Sequence, residues 1–245
     1  MNVVGDLLAR DRRSRSVALV TADGRERTSH DLITNAYKAA NVLRYLGARQ
    51  GSTVAVDPTP RLHTTLAFLG AAGLGATVRF DPAAGIAAGD RVVLVDVADE
   101  GSMEPAPGTN LAVFGGPPER PETTHWEQEL WSENPGMPPS EIAPDDPLVR
   151  EGEVWASHGE VLAAATAVIE AYDIDAETRV VLRGDFSRVG AVAAGIVAPL
   201  SVGGTVVLTD PSESGDDPRG DLAVVADGRG PAPEPRSVTV ADVYE

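Results

Sequence analysis

Gly75-Ala76-Thr77-Val78-Arg79-Phe80-Asp81-Pro82 closes one apolar run of the chain. Gly203-Gly204-Thr205-Val206-Val207-Leu208-Thr209-Asp210-Pro211 closes another, with Thr205 standing 128 positions after Thr77. Each stretch opens with glycine, where a helix can stop in a left-handed turn, and continues into β-rich residues. Just upstream lie the helix-like runs Ala67–Leu74 and Ile196–Val202. Further upstream the offset returns: Ser29-His30 and Ser157-His158 each open an apolar-periodic stretch, again 128 positions apart. A strand-like piece follows each copy, Asp90–Asp96 and Asp221–Asp227. One offset recovered at both ends predicts a duplicated architecture.

In the first half, Leu32, Ala36, Ala39, Ala40, Leu43 and Leu46 recur at helical spacing before Gly47, and Thr53–Asp57 is a β-rich run ended by Pro58. Leu62, Leu66, Leu69 and Gly73 line a second helix, and Arg91–Val97 and Leu111–Phe114 read as buried strands. The second half repeats the order. Ser157-His158-Gly159-Glu160 fits a capping box, Val161 to Tyr172 carries the apolar stripe, and Arg179–Leu182 is a strand. Val189–Val202 is a helix interrupted or ended near Pro199, Thr205–Leu208 a strand, and Ser237–Val240 a last one. Strand–helix–strand units of this kind call for parallel pairing. The expected fold is therefore α/β: two similar α/β subdomains with mainly parallel sheets, at 1–114 and 151–245. Between them, 115–150 is rich in Pro, Glu and Gly and reads as a linker that forms no packed layer, pinned by Trp126 and Trp131. Two further loose stretches are the acidic 211–220 and the tail 228–235.

The chain holds 37 acidic and 20 basic residues, for a net charge of −17, and Lys38 is its one lysine. Carboxylates spread along the whole length point to an acidic, halophilic protein of a salt-rich cytoplasm, where screening relieves self-repulsion. The same charge excludes nucleic acid as a partner. With no cysteine, disulfides and thiolate chemistry are excluded. Val189 to Thr209 carries no formal charge, but Pro199 and Gly203-Gly204 interrupt it, so no membrane span is expected.

The blocks Ala18-Leu19-Val20, Arg27-Thr28-Ser29-His30-Asp31-Leu32, Ala39-Ala40-Asn41-Val42-Leu43, Leu46-Gly47 and Gly51-Ser52-Thr53-Val54-Ala55-Val56 resemble the opening of the adenylate-forming, acyl-CoA synthetase-like (AMP-binding) superfamily. The later blocks Ser157-His158, Arg179–Leu182, Phe186, Val189-Gly190, Ala198-Pro199-Leu200 and Gly203–Leu208 match that family's next blocks in order. The resemblance covers most of 1–211 and implies the family's N-terminal domain of two similar α/β subdomains. It also implies a Ser/Thr/Gly-rich loop ending in lysine, just before the Ser-His helix, that grips ATP phosphates. Here that place reads Asp145-Asp146-Pro147-Leu148-Val149-Arg150-Glu151-Gly152-Glu153-Val154-Trp155-Ala156. One glycine and a run of carboxylates cannot make a phosphate cradle. Against the family's extent the chain is also truncated, ending before the blocks that hold adenine, ribose and magnesium. The family's aromatic–histidine pair at the acyl pocket becomes Phe186-Ser187.

His30, His63, His125 and His158 are scattered, with no metal-site spacing, so neither a metal nor a cofactor is expected. His30 and His158 fall at helix starts, where capping or solvation is the expected role, and Ser29 and Ser157 read as N-caps. Asp145/Asp146 and Asp216/Asp217 read as solvated charge. Arg183, Asp185, Phe186, Ser187 and Arg188 follow a strand end that faces the ligand crevice of an open α/β sheet; they are the candidate ligand-binding residues, against an Arg–Asp surface pair. No catalytic residue is assigned. The expected function is that of a pseudoenzyme: an acyl-CoA synthetase-like scaffold binding a partner protein, a second copy of itself, or a small acyl or anionic ligand. The alternative is one half of a split adenylate-forming acid–CoA ligase whose nucleotide site another chain supplies.

Overall fold

The apolar runs become two sheets in a computed structural model that describes residues 1–210, 218–228, 230 and 232–244. In chain order the strands are β1 (Val17–Val20), β2 (Glu26–Thr28), β3 (Thr53–Val56), β4 (Thr77–Arg79), β5 (Asp90–Asp96), β6 (Asn110–Phe114) and β7 (Thr124–His125). They continue with β8 (Pro147–Glu151), β9 (Val154–Ser157), β10 (Arg179–Leu182), β11 (Thr205–Leu208), β12 (Leu222–Val225) and β13 (Arg236–Thr239). One sheet runs β7-β6-β5-β3-β4-β8-β9, the other β13-β12-β10-β11-β1-β2. Every pairing is parallel except the hairpins β1–β2 and β8–β9. The expected mainly parallel α/β architecture is what the chain adopts.

The hairpins cross over. β1, from the first half, pairs with β11 (Leu19 beside Val206), and β8 pairs with β4 (Val149 beside Val78). Each sheet therefore borrows a hairpin from upstream of the helix that leads into the other. Periodicity missed β1–β2 because β2 is three residues long and exposed or half-buried.

Strands buried on both faces explain the unbroken apolar runs. Val54, Val56, Val92, Leu94, Ala112 and Phe114 join the large core shared by both sheets, while Ala55, Val93, Val95, Leu111 and Val113 form a second cluster on the opposite face. The charged pair Arg79–Asp90 is buried too, at 2.7 Å, with side chains 4% and 1% exposed.

Besides short 3-10 turns, the described residues form five further helical stretches: α1 (Ser29–Tyr45), α2 (Leu62–Leu74), α3 (Trp126–Ser132), α4 (His158–Tyr172), and a last one made of α5 (Val189–Val192), a π-helical turn (Ala193–Val197) and α6 (Ala198–Val202). The π turn ends two residues before Pro199, which has no N–H to give the carbonyl four residues back. Thus the helix is interrupted near the proline and resumes through it. α2 and α6 both stop at left-handed glycines, Gly75 (φ 72°) and Gly203 (φ 83°).

Two expectations change at the helix starts. Ser157 caps α4 as expected, its Oγ accepting from the Glu160 N–H at 3.2 Å while Glu160 accepts from the Ser157 N–H at 2.7 Å. In α1, Thr28 rather than Ser29 is the cap, because Thr28 lies three residues before Asp31, the residue that closes its box. His158, expected to cap or be solvated, is fully buried; its Nδ1 accepts the Val4 N–H at 3.2 Å. His30 is exposed.

The segment 115–150 does more than connect. It contributes β7, α3 and the first residues of β8, and Trp126 is fully buried under α3. Trp131, the other expected anchor, is 83% exposed instead, since it lies on the outer face of that short helix. Pro211, most of the acidic segment 211–220 and the pair Asp216/Asp217 lie outside the described residues. Among the described residues, no helix is long and apolar enough to cross a membrane; the uncharged run Val189–Thr209 divides into the last helix, a glycine turn and β11.

Candidate functional site

Parallel strands bring their carboxyl ends to one side, and in open α/β sheets ligands bind in the crevice there. The two sheets meet at that side. Phe186, beyond β10, donates its N–H to the carbonyl of Pro58, beyond β3, at 2.9 Å. Its ring stacks on Phe80, beyond β4, with centroids 5.3 Å apart, and Phe80 in turn tilts against Phe68 of α2 at 6.3 Å.

Arg61 stands at the centre of this seam. Its Nε donates to Asp210 Oδ2 at 2.9 Å, its Nη1 donates to Asp96, and its guanidinium lies 5.8 Å from the centre of the Phe114 ring. The residues come from the start of α2 and the ends of β5, β6 and β11. Burial works against the Arg61 charge, but its hydrogen bonds to Asp210 and Asp96 outweigh it and raise its pKa. Beside it, His63 stacks on Phe114 at 5.4 Å, and Glu127 of α3 lies between His63 Nε2 (3.6 Å) and His125 Nε2 (3.5 Å). Glu127 also accepts the Gly115 N–H at 2.7 Å. Burial lowers the His63 pKa, with Glu127 opposing it. Among the described residues no group of three or more His, Cys, Asp or Glu is arranged to hold a metal.

The five residues expected to bind a ligand do not converge. Phe186 is fully buried in the aromatic stack. Arg183 is 8% exposed and forms a two-pronged ion pair with Glu234, Nε to Oε2 at 2.6 Å and Nη2 to Oε1 at 2.5 Å. Asp185 and Ser187 hydrogen-bond to each other, the Ser187 N–H reaching Asp185 Oδ1 at 3.0 Å. Arg188 turns the other way, to Glu151 at 2.5 Å and Asp227 at 2.6 Å. Neither arginine pairs with Asp185 in these contacts. Their partners are acids far along the chain.

β8 turns into β9 through Gly152-Glu153 alone, with Glu151 directly opposite Val154 and Gly152 at φ 59°. Where the family resemblance calls for a phosphate-gripping loop, there is a two-residue turn. Glu151 then projects from the hairpin onto the first turn of the last helix, where its Oε2 accepts the Val189 N–H at 2.9 Å. A carboxylate of the chain itself thus takes the helix-end N–H that an anion would use. Sequence reasoning flagged the acids at 151–153 but not Arg61, His63, Asp96, Glu127, Asp210 or Glu234. The available signal was the placing of Asp96 and Asp210 at or just beyond strand ends.

No protein-family model matches the chain, and no curated protein matches its sequence. Solved structures do. The chain superposes on an anthranilate CoA ligase, AuaEII, in complex with anthranoyl-AMP, with a TM-score of 0.75 and 16% identity over 91% of this chain and 49% of that one. ATP-bound MatB from Rhodopseudomonas palustris gives 0.72 and 16% over 92% and 50%. A benzoate CoA ligase from Burkholderia xenovorans LB400 gives 0.71 and 19% over 92% and 50%. The chain spans about half the length of these ligases and has the fold of the N-terminal domain of acyl-CoA synthetase-like structures.

Proposed function

We propose that this chain is a non-catalytic counterpart of the acid–CoA ligase scaffold, retaining the two-sheet body to bind a partner protein or a small acyl or anionic ligand. One observation carries the reading: the β8–β9 connection is two residues long, contains Glu153 and follows directly on Glu151. Gripping a triphosphate requires several backbone N–H groups converging on its oxygens, with positive charge beside them. A two-residue turn cannot present that many, and Glu151 already occupies the neighbouring Val189 N–H. The acid-rich, lysine-poor composition fits work in a salt-rich cytoplasm.

The competing reading, one half of a split adenylate-forming acid–CoA ligase, draws on the extent of the match, about half of each ligase. It meets the same turn: a completing chain would have to bring the phosphate loop as well as the remaining nucleotide contacts.

Calorimetric titration with Mg-ATP and then AMP, on protein shown to be folded by circular dichroism, tests the proposal. No saturable heat is expected with either. One-site saturable binding of either nucleotide would overturn it and favour the ligase.

A further inference from the structure

At the amino ends of β1, β10 and β11, the opposite end of the second sheet from the crevice, lies a cavity of about 360 Å³. Its floor is apolar, formed by Leu7, Leu8, Ile33 and Leu69. Among further apolar residues and two glycines, the rest of its lining includes Arg12 and the serines 14, 16, 29 and 201; Ser201 already donates its hydroxyl to the Val197 carbonyl at 2.6 Å.

Arg12 is fixed in place. Its Nη2 donates to the carbonyls of Leu200 at 2.6 Å and Ser201 at 2.9 Å, both in α6. These are its side chain's only hydrogen bonds among the described residues, so Nε and Nη1 are left uncommitted. Arg12 belongs to the run Arg10-Asp11-Arg12-Arg13-Ser14-Arg15. None of its four arginines is ion-paired among the described residues. Arg13 stacks over the Tyr37 ring at 4.9 Å, with Nε and Nη2 buried and lacking any hydrogen-bond partner. On a chain of net charge −17, where acids are abundant, this run stays positive beside a cavity. Unneutralised arginines of this kind attract and hold anions.

We infer that the cavity binds a small organic phosphate monoester, its apolar group on the leucine–isoleucine floor and its phosphate against Arg12 and the hydroxyls of Ser14, Ser16 and Ser29. Phosphate is favoured over carboxylate because the polar lining offers several hydroxyl donors as well as the guanidinium, and a phosphate has three oxygens to receive them. The volume is near the lower end of the range for ligand sites, about 300–1,000 Å³, and suits a small molecule. The site stands apart from the crevice, so the inference holds whatever the crevice binds.

Isothermal titration with hexyl phosphate tests it, with inorganic phosphate, hexanoate and hexanol as comparison ligands. Hexyl phosphate is expected to bind saturably and at least tenfold more tightly than each of the other three. Arg12→Gln should weaken it at least tenfold, while Arg10→Gln, which removes the same charge outside the lining, should change it less than twofold. Unchanged weak hexanol binding in Arg12→Gln would show that the floor survives the substitution. Hexyl phosphate no tighter than inorganic phosphate or hexanoate, or binding insensitive to Arg12→Gln, would overturn the assignment.

Discussion

Glu151, at the end of β8 in one sheet, lies 2.5 Å from Arg188, which follows β10 in the other, and accepts the N–H of Val189 as well. The pair ties the hairpin to the first turn of the last helix, so its loss should be felt in both sheets. Glu151→Ala is expected to lower stability by about 1–2 kcal/mol, the scale of a lost helix cap plus a partly exposed ion pair. Glu151→Gln, which keeps an acceptor for Val189, should lose about half as much. Urea unfolding curves would check this, and equal losses in the two variants would mean that the charge alone matters.

Burial lowers the His158 pKa to about 4, with Asp146 and Asp6 opposing the shift, and its Nδ1 already accepts the Val4 N–H. The folded pKa therefore lies below the ordinary value near 6.5. The unfolded chain takes up the proton first, and stability falls as pH drops from about 6.5 towards 4, by up to about 1.4 kcal/mol per pH unit from this group. His63 shifts in the same direction and adds to the trend. His158→Asn keeps an acceptor near Val4 and should flatten the dependence between pH 6.5 and 5. Unfolding midpoints at those two pH values measure it, and an unflattened slope would place the dependence elsewhere.

Arg79 and Asp90 form a buried pair that also serves the loop before β5, since Asp90 accepts the Ala87 N–H at 2.6 Å. Asp90→Ala is expected to cost about 3–5 kcal/mol, because it strips the main counter-charge from a buried guanidinium. Replacing both partners together, Arg79→Met with Asp90→Leu, should cost much less than the single change. A double-mutant cycle by thermal unfolding reads the difference. A double variant as unstable as Asp90→Ala would show that the loop contacts, rather than the stranded charge, set the cost.

Gly190 lies against the chain's C-terminal segment so closely that an added Cβ would sit 2.1 Å from the Val240 carbonyl oxygen. Gly190→Ala should destabilise by about 2–3 kcal/mol despite the helix propensity of alanine. Gly73→Ala is the contrast: its Cβ would meet the end of the Met137 side chain, which can swing aside, so the change should be near neutral. Parallel melting curves of the two variants would decide whether close backbone approach governs the outcome.

The elements that the sequence announces are those written locally. Gly75 and Gly203 stop helices through their own backbone freedom, and Ser157 with Glu160 closes a box within one turn. The crossing of the hairpins is absent from any window of residues, because Leu19 finds Val206 only in the folded chain. The same reason hid the seam around Arg61, whose partners Asp96 and Asp210 come from separate strand ends. Residues 183 to 188 follow a strand end that the sequence announces, but Arg183 and Arg188 pair with Glu234, Glu151 and Asp227, which no local pattern connects to them.

Because β1 must wait for β11 and β4 for β8, neither sheet can be finished while its own stretch of chain leaves the ribosome. The earliest-made strand pairs with β2 at once but must wait for its second neighbour, β11, which predicts slow, late and strongly cooperative assembly. Severing the chain within 115–146 would leave each fragment with an open strand edge, and the fragments should aggregate singly yet recover the fold when mixed.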